Sequence, residues 1–165
     1  MAGFAGKNII HLLILDIVAL ELDFDELKEA HIKAANNCPP TWSVFRSNCY
    51  KFFEIKKSFN DAEKHCLLEG AHLASVHSVE DNNFLANLSS DQFYLGGNDM
   101  NISTAWAWSD SSPWVFTNWH PGQPYEHLKQ TRKDNCVEVN WKIPGKWNDT
   151  PCKTKRKFVC KIINL

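Results

Sequence analysis

Asp134-Asn135-Cys136, then Trp147-Asn148-Asp149, then Cys152 and Cys160: this stretch near the C-terminus decides the fold. It holds half of the cysteines and a crowd of short amide and carboxylate side chains. Such oxygen donors suit a hard cation such as calcium, which takes carboxylate, amide carbonyl and water oxygens. Upstream, Gln123-Pro124-Tyr125 sets another amide beside a proline.

Working outward, the chain carries six cysteines and no C-x-x-C pair. An even number of that kind reads as three disulfides in an oxidising compartment, not as a zinc ribbon. A length of 165 residues allows one domain with a real core and a short leader. The net charge of -1 argues against a general binder of nucleic acid or anionic membranes. Seven tryptophans and ten phenylalanines supply the core, and most aromatics are read as core, not as a ligand platform. There is no Gly-rich phosphate loop, no G-x-S-x-G and no H-E-x-x-H, and no nucleophile stands beside a base, so no enzyme is expected. His65, His72 and His77 lack metal-ligand spacing and read as packed or solvated.

Lys7 precedes a mostly apolar run from Ile9 to Leu20, too short to span a bilayer. Its length and basic flank fit a signal peptide over residues 1–19, although His11 and Asp16 interrupt it. The other reading is an amphipathic helix that stays on the protein. Residues 20–37 follow as a charged N-terminal arm or propeptide, and the domain runs over 38–165. Ser58 and Asp61 form a capping signal for a helix with Phe59, Ala62, Cys66 and Glu69 on one face, stopped at Gly70. Ser78 and Asp81 repeat it for a second helix buried through Phe84, Leu85 and Leu88. Residues 71–76 alternate apolar and polar like a strand. The closing strands would face inward through Val137, Val139, Phe158 and Cys160, or through the opposite set if the register shifts.

Trp-Asn-Asp before a cysteine, Asp-Asn-Cys upstream and Gln-Pro further upstream resemble a C-type lectin domain over about residues 38 to 163. The resemblance implies an α+β fold: two helices flanking antiparallel sheets, a long loop region and three disulfides. It implies the pairings Cys38–Cys49, Cys66–Cys160 and Cys136–Cys152. In calcium-binding members one ion is held by a Glu-Pro-Asn or Gln-Pro-Asp triplet with a cis proline bond, an acid just before a cysteine, and the Asn-Asp pair. Carried onto this chain, the metal ligands are Gln123, Asp134, Asn148 and Asp149. The carbohydrate-binding set is those four with Tyr125.

Tyr125 departs from the pattern, because a phenol is a poor calcium ligand at neutral pH. Gln-Pro resembles the galactose-preferring subgroup, but the Asp that completes that motif is missing. The tryptophan that often follows is also absent, since the chain continues Glu126-His127-Leu128-Lys129-Gln130. The expectation is a secreted, extracellular glycan-binding lectin, calcium-assisted and galactose-type. The alternative is a calcium-independent protein- or ice-binding module of the same fold, since Trp-Asn-Asp also occurs in members that bind no sugar. Sequons begin at Asn87, Asn101 and Asn148, and a glycan on the last would block the site.

Overall fold

A computed structural model of the chain describes residues 38–100, 105–125 and 135–163. The chain divides into two units, residues 1–38 and 39–165, and the fold described is that of the second. The expected leader (1–19) and arm (20–37) lie outside the described residues, as does Asp134.

The domain opens with a hairpin, β1 (Ser43–Phe45) against β2 (Asn48–Lys57). Its turn residues, Arg46 and Ser47, both have positive φ, as a tight hairpin matched to strand twist requires. Helix α1 (Phe59–Leu68) starts where Ser58 Oγ accepts from the Asp61 amide at 3.3 Å and donates to Asp61 Oδ2 at 2.6 Å. Phe59, Ala62 and Cys66 are buried, while Glu69, expected on that face, is exposed as the C-cap. Gly70 follows at φ 71° and ends the helix, a conformation glycine adopts without Cβ strain. Helix α2 (Val79–Ala86) begins with the Asp81 amide donating to Ser78 Oγ at 3.1 Å. Both capping signals act as the sequence indicates. Leu85 is fully buried and Phe84 and Leu88 partly so, but Asp81 and Asn82 are buried as well.

The remaining strands are β3 (His72–Leu73), β4 (Phe93–Asn98), β5 (Ala107–Trp108), β6 (Asn135–Val139), β7 (Trp147–Pro151) and β8 (Arg156–Ile162). The sheet order is β1-β2-β8-β4-β6-β7, with β3 on β8 and β5 on β4. Pairing is antiparallel except between β4 and β8, so the sheet is mixed. The expected alternation over 71–76 is not what forms: only His72 and Leu73 are strand, and Leu73 to Val76 are all buried. The reason is position. The Ala74 amide donates to Val159 O at 3.0 Å and Ala74 O accepts from Gly96 at 2.9 Å, so this segment lies between β8 and β4 with no side open to water. Likewise all of β6 is buried, Glu138 as fully as Val137, because both faces of the strand are covered. Neither alternating register describes it.

No cysteine is free. Cys66–Cys160 ties α1 to β8, Cys136–Cys152 ties β6 to the end of β7, and Cys38 and Cys49 are disulfide-bonded too. With its ends 94 positions apart in sequence, Cys66–Cys160 restricts nearly the whole unfolded domain. Loop-closure entropy makes that worth about 4–5 kcal/mol.

Gly96 is the tightest backbone crossing in this core. A Cβ there would meet Leu73 O at 2.6 Å and Ser109 Oγ at 2.8 Å. Gly96→Ala is expected to destabilise the domain by about 2 kcal/mol through overpacking. Urea unfolding of the two proteins measures it, and an unchanged midpoint with an unchanged slope would contradict this packing.

Candidate functional site

The site is built on Trp147. Its indole is fully buried against Trp108, Trp114, Phe116 and Trp119, with ring centroids 5.7 to 6.1 Å away. Its Nε1–H donates to Asn82 Oδ1 on α2 at 2.6 Å. A buried indole needs such a partner, and this one also fixes how β7 meets the helix. The backbone of Trp147 is used on both edges: it pairs with Val139 of β6, receives His120 N at 2.9 Å and donates to Asn118 O at 3.0 Å. The segment carrying Gln123 is thereby laid alongside the strand carrying Asn148 and Asp149.

Gly145, at φ 78°, completes the approach to β7. Its carbonyl accepts from Asn82 Nδ2 at 3.1 Å and Asn118 Nδ2 at 2.8 Å, and its amide donates to Asn140 Oδ1 at 2.7 Å. A positive φ and three polar contacts leave little room for a side chain, and Asn82 Nδ2 would sit 3.1 Å from any Cβ.

Asn148 and Asp149 are successive residues of β7 with different partners. Register sets Glu138 directly across from Asn148, and Asn148 Nδ2 donates to Glu138 Oε1 at 2.8 Å. Arg156 Nε donates to the other carboxylate oxygen at 2.5 Å. Glu138 is fully buried, and a carboxylate is tolerated there because both oxygens receive charged or polar donors. The amide of Asn148 is thus oriented: its nitrogen is spent on Glu138, which leaves its oxygen as the end available to a cation. The same bond makes the Asn148 sequon inaccessible, since Nδ2 is the atom a glycan would join and the residue is buried.

Asp149 is half-buried and its Oδ1 accepts the Tyr125 amide at 3.0 Å. That bond brings the Gln123-Pro124-Tyr125 segment onto β7. The Gln123–Pro124 peptide is cis. Tyr125 is 49% exposed, so its ring is not part of the core. Gln123 Oε1 is buried with no hydrogen-bond partner among the described residues. A buried amide oxygen in that state is an acceptor the fold itself does not satisfy.

Of the expected set, Gln123, Tyr125, Asn148 and Asp149 are brought to adjoining segments, and Asp134 lies outside the described residues. Its neighbour Asn135 is firmly held: its amide donates to Asp99 Oδ1 at 2.6 Å and its Nδ2 to Asp99 Oδ2 at 3.0 Å, both residues buried. Among the described residues no group of three His, Cys, Asp or Glu side chains could hold a metal. The donors present are instead an amide-rich oxygen set with one carboxylate, Asp149, and that chemistry fits calcium and not a softer ion. Sequence reasoning missed Glu138, Arg156, Asn82 and Asp99. Glu138 alone carried a signal, a charge between two valines in a strand read as core.

The Lectin C-type domain model matches residues 55–162, and the chain belongs to that family. A lectin of Pleurodeles waltl is 33% identical over 137 residues, 78% of this chain and 78% of that protein. The versican core protein of Homo sapiens is 34% identical over 120 residues, 73% of this chain but only 4% of that protein. The carbohydrate-recognition domain of cow CD23, solved with a GlcNAc2Man3 oligosaccharide, superposes with a TM-score of 0.70 at 30% identity, covering 79% of this chain and 98% of that one. Herring type II antifreeze protein gives 0.69 at 34% identity, covering 76% and 98%.

Glu138 generates a test of how Asn148 is held. Glu138→Ala strips a partner from both Asn148 and Arg156 and is expected to cost about 3 kcal/mol. Glu138→Gln keeps an acceptor oxygen and should cost clearly less. Urea unfolding compares the three proteins, and equal stability of parent and alanine variant would mean the buried pair holds nothing in place.

Proposed function

We infer that this protein is a secreted, extracellular glycan-binding lectin. In this reading Gln123, Asn148 and Asp149, with Asp134, hold a calcium ion. The observation that carries it is Gln123 Oε1, buried and unpartnered on the segment that Asp149 ties to β7. An ion held there supplies open coordination positions for two neighbouring sugar hydroxyls. The residues do the positioning: Glu138 takes the Asn148 amide nitrogen and leaves its oxygen for an ion, and Asp149 anchors the triplet while offering its second oxygen. The activity is recognition without chemistry, and nucleic acid is not its ligand. The Gln-Pro start favours galactose-type sugars. Residues 1–19 are its export signal, residues 20–37 an arm and residues 38–165 the lectin domain.

A second reading, a calcium-independent protein- or ice-binding module, is favoured by the exposed Tyr125 ring standing where the motif has a carboxylate. The structural similarity to herring type II antifreeze protein keeps it in view. Calorimetric titration with calcium, followed by retention on galactose resin with and without chelator, separates the two.

Two variants sharpen the test. Asp149→Asn removes the one described carboxylate of the set at nearly constant shape, so calcium affinity and galactose retention should fall together. Tyr125→Asp restores Gln-Pro-Asp and adds a charge to the ligand set, so calcium affinity should rise about ten-fold. Galactose binding at saturating calcium should rise with it. A calcium titration that does not change in Tyr125→Asp would place residue 125 away from the ion and sink this assignment. Tighter calcium with weaker sugar binding would instead give the ring a stacking role.

A further inference from the structure

Apart from the oxygen-rich site, one open groove of about 390 Å³ is lined by Lys56 and Lys57 at the end of β2, Lys64 on α1, and Lys155 just before β8. Asp61 and His65 complete the part of its lining that matters electrostatically. None of the four lysines has a carboxylate within 4 Å among the described residues, and unlike Lys142, Lys146, Lys153 and Lys161, which also lack one, these four line a single concavity. Two carboxylates in their field are already engaged. Asp61 accepts from Ser58 Oγ at 2.6 Å, and Asp91 is held by Lys157 Nζ at 2.6 Å. His65 packs its ring edge against Phe53 and Phe158, and its Nε2 is buried without a hydrogen-bond partner. The groove also lies at the N-terminal end of α1, where the helix dipole adds partial positive charge.

Like charges gathered without partners repel one another, and residues 38–165, with 15 Lys and Arg against 13 Asp and Glu, are too nearly balanced for the cluster to be the by-product of a strongly basic surface. Cations on three separate stretches converge on one concavity because β2, α1 and the segment before β8 meet there: the Phe59 amide donates to Cys152 O at 2.9 Å, and Lys57 pairs with Arg156 in register. An occupant must bring several negative charges at spacings that a chain can distribute. We propose that this groove binds a sulfated polysaccharide through Lys56, Lys57, Lys64 and Lys155, independently of the calcium-type site. None of the groove's residues belongs to that site, and a disulfide-bonded domain meets sulfated glycans, not nucleic acid, in an oxidising compartment.

The test uses the full chain in chelator, which silences any calcium-dependent sugar binding. Heparin oligosaccharide is titrated calorimetrically at low and near-physiological salt. Binding should weaken as salt rises, through release of counterions. The triple variant Lys56→Gln, Lys64→Gln, Lys155→Gln should lose about ten-fold or more in affinity, with a log affinity–log salt slope shallower by about 2. Lys142→Gln, a control for an exposed lysine outside the groove, should bind like the parent. All three substituted lysines are exposed, and an unchanged urea midpoint shows that the triple variant is folded. No heparin binding at low salt, or an equal loss in the Lys142 control, overturns the proposal. Equal binding of desulfated heparin overturns the sulfate chemistry. Equal binding of single-stranded DNA of matched charge overturns the choice of a sulfated glycan in favour of any polyanion.

Discussion

The placement of Trp147 governs both the core and the site. Its indole closes an aromatic cluster, and burying a ring of that size contributes several kcal/mol that few other residues match. The hydrogen bond to Asn82 fixes its depth against α2, and the backbone pairs on both edges fix its height between β6 and residues 118–120. With Trp147 locked, the next two residues have no conformational choice. Asn148 then meets Glu138, and Asp149 meets the Tyr125 amide. The geometry of the polar pair is therefore inherited from a hydrophobic decision made one residue upstream.

Each polar residue then meets a different environment. Asn148 faces inward and finds Glu138, whose charge is answered by Arg156. A buried ion pair of this kind adds little net stability over apolar packing, but removing one member leaves the other stranded. Its structural effect is orientation: the amide of Asn148 has one preferred flip. Asp149 faces the 118–125 segment, and its bond to the Tyr125 amide draws that segment in. One side chain is aimed and the other anchors, which is a division of labour suited to a site assembled from two parts of the chain.

The features that could be read from the sequence are those set by neighbours in the chain. Ser58 with Asp61 and Ser78 with Asp81 satisfy amides three residues away, so the caps needed no tertiary knowledge. The cysteine order and the Gln-Pro and Trp-Asn-Asp motifs carried the family. The features that escaped depend on partners distant in sequence. The run from Ala71 to Val76 looked alternating, yet Leu73 to Val76 are all buried and the Ala74 backbone bonds to Val159 on one side and Gly96 on the other. Glu138 sits at a position that alternation would make either core or solvent, and only the register with Asn148 and the arrival of Arg156 explain a buried carboxylate. Asn82 looked like a polar helix residue, and its roles on Trp147 and Gly145 span more than sixty positions of chain.

Net charge was the least informative number in the sequence, because it is a sum and says nothing of distribution. A value near zero for the whole chain hides a local cluster: Lys56, Lys57, Lys64 and Lys155 line one groove, while Asp149 stands in a separate carboxylate-and-amide set. The two candidate sites would work by different physics. A cation held by oxygen ligands acts by direct coordination, and its affinity is set by the number and charge of those ligands. A lysine groove acts through a field screened over roughly 8 Å at physiological salt, tolerates the loss of one charge, and fades steadily as salt rises. Both can therefore operate on one small domain without competing. The first would read the stereochemistry of a few hydroxyls, and the second the charge density of a longer chain.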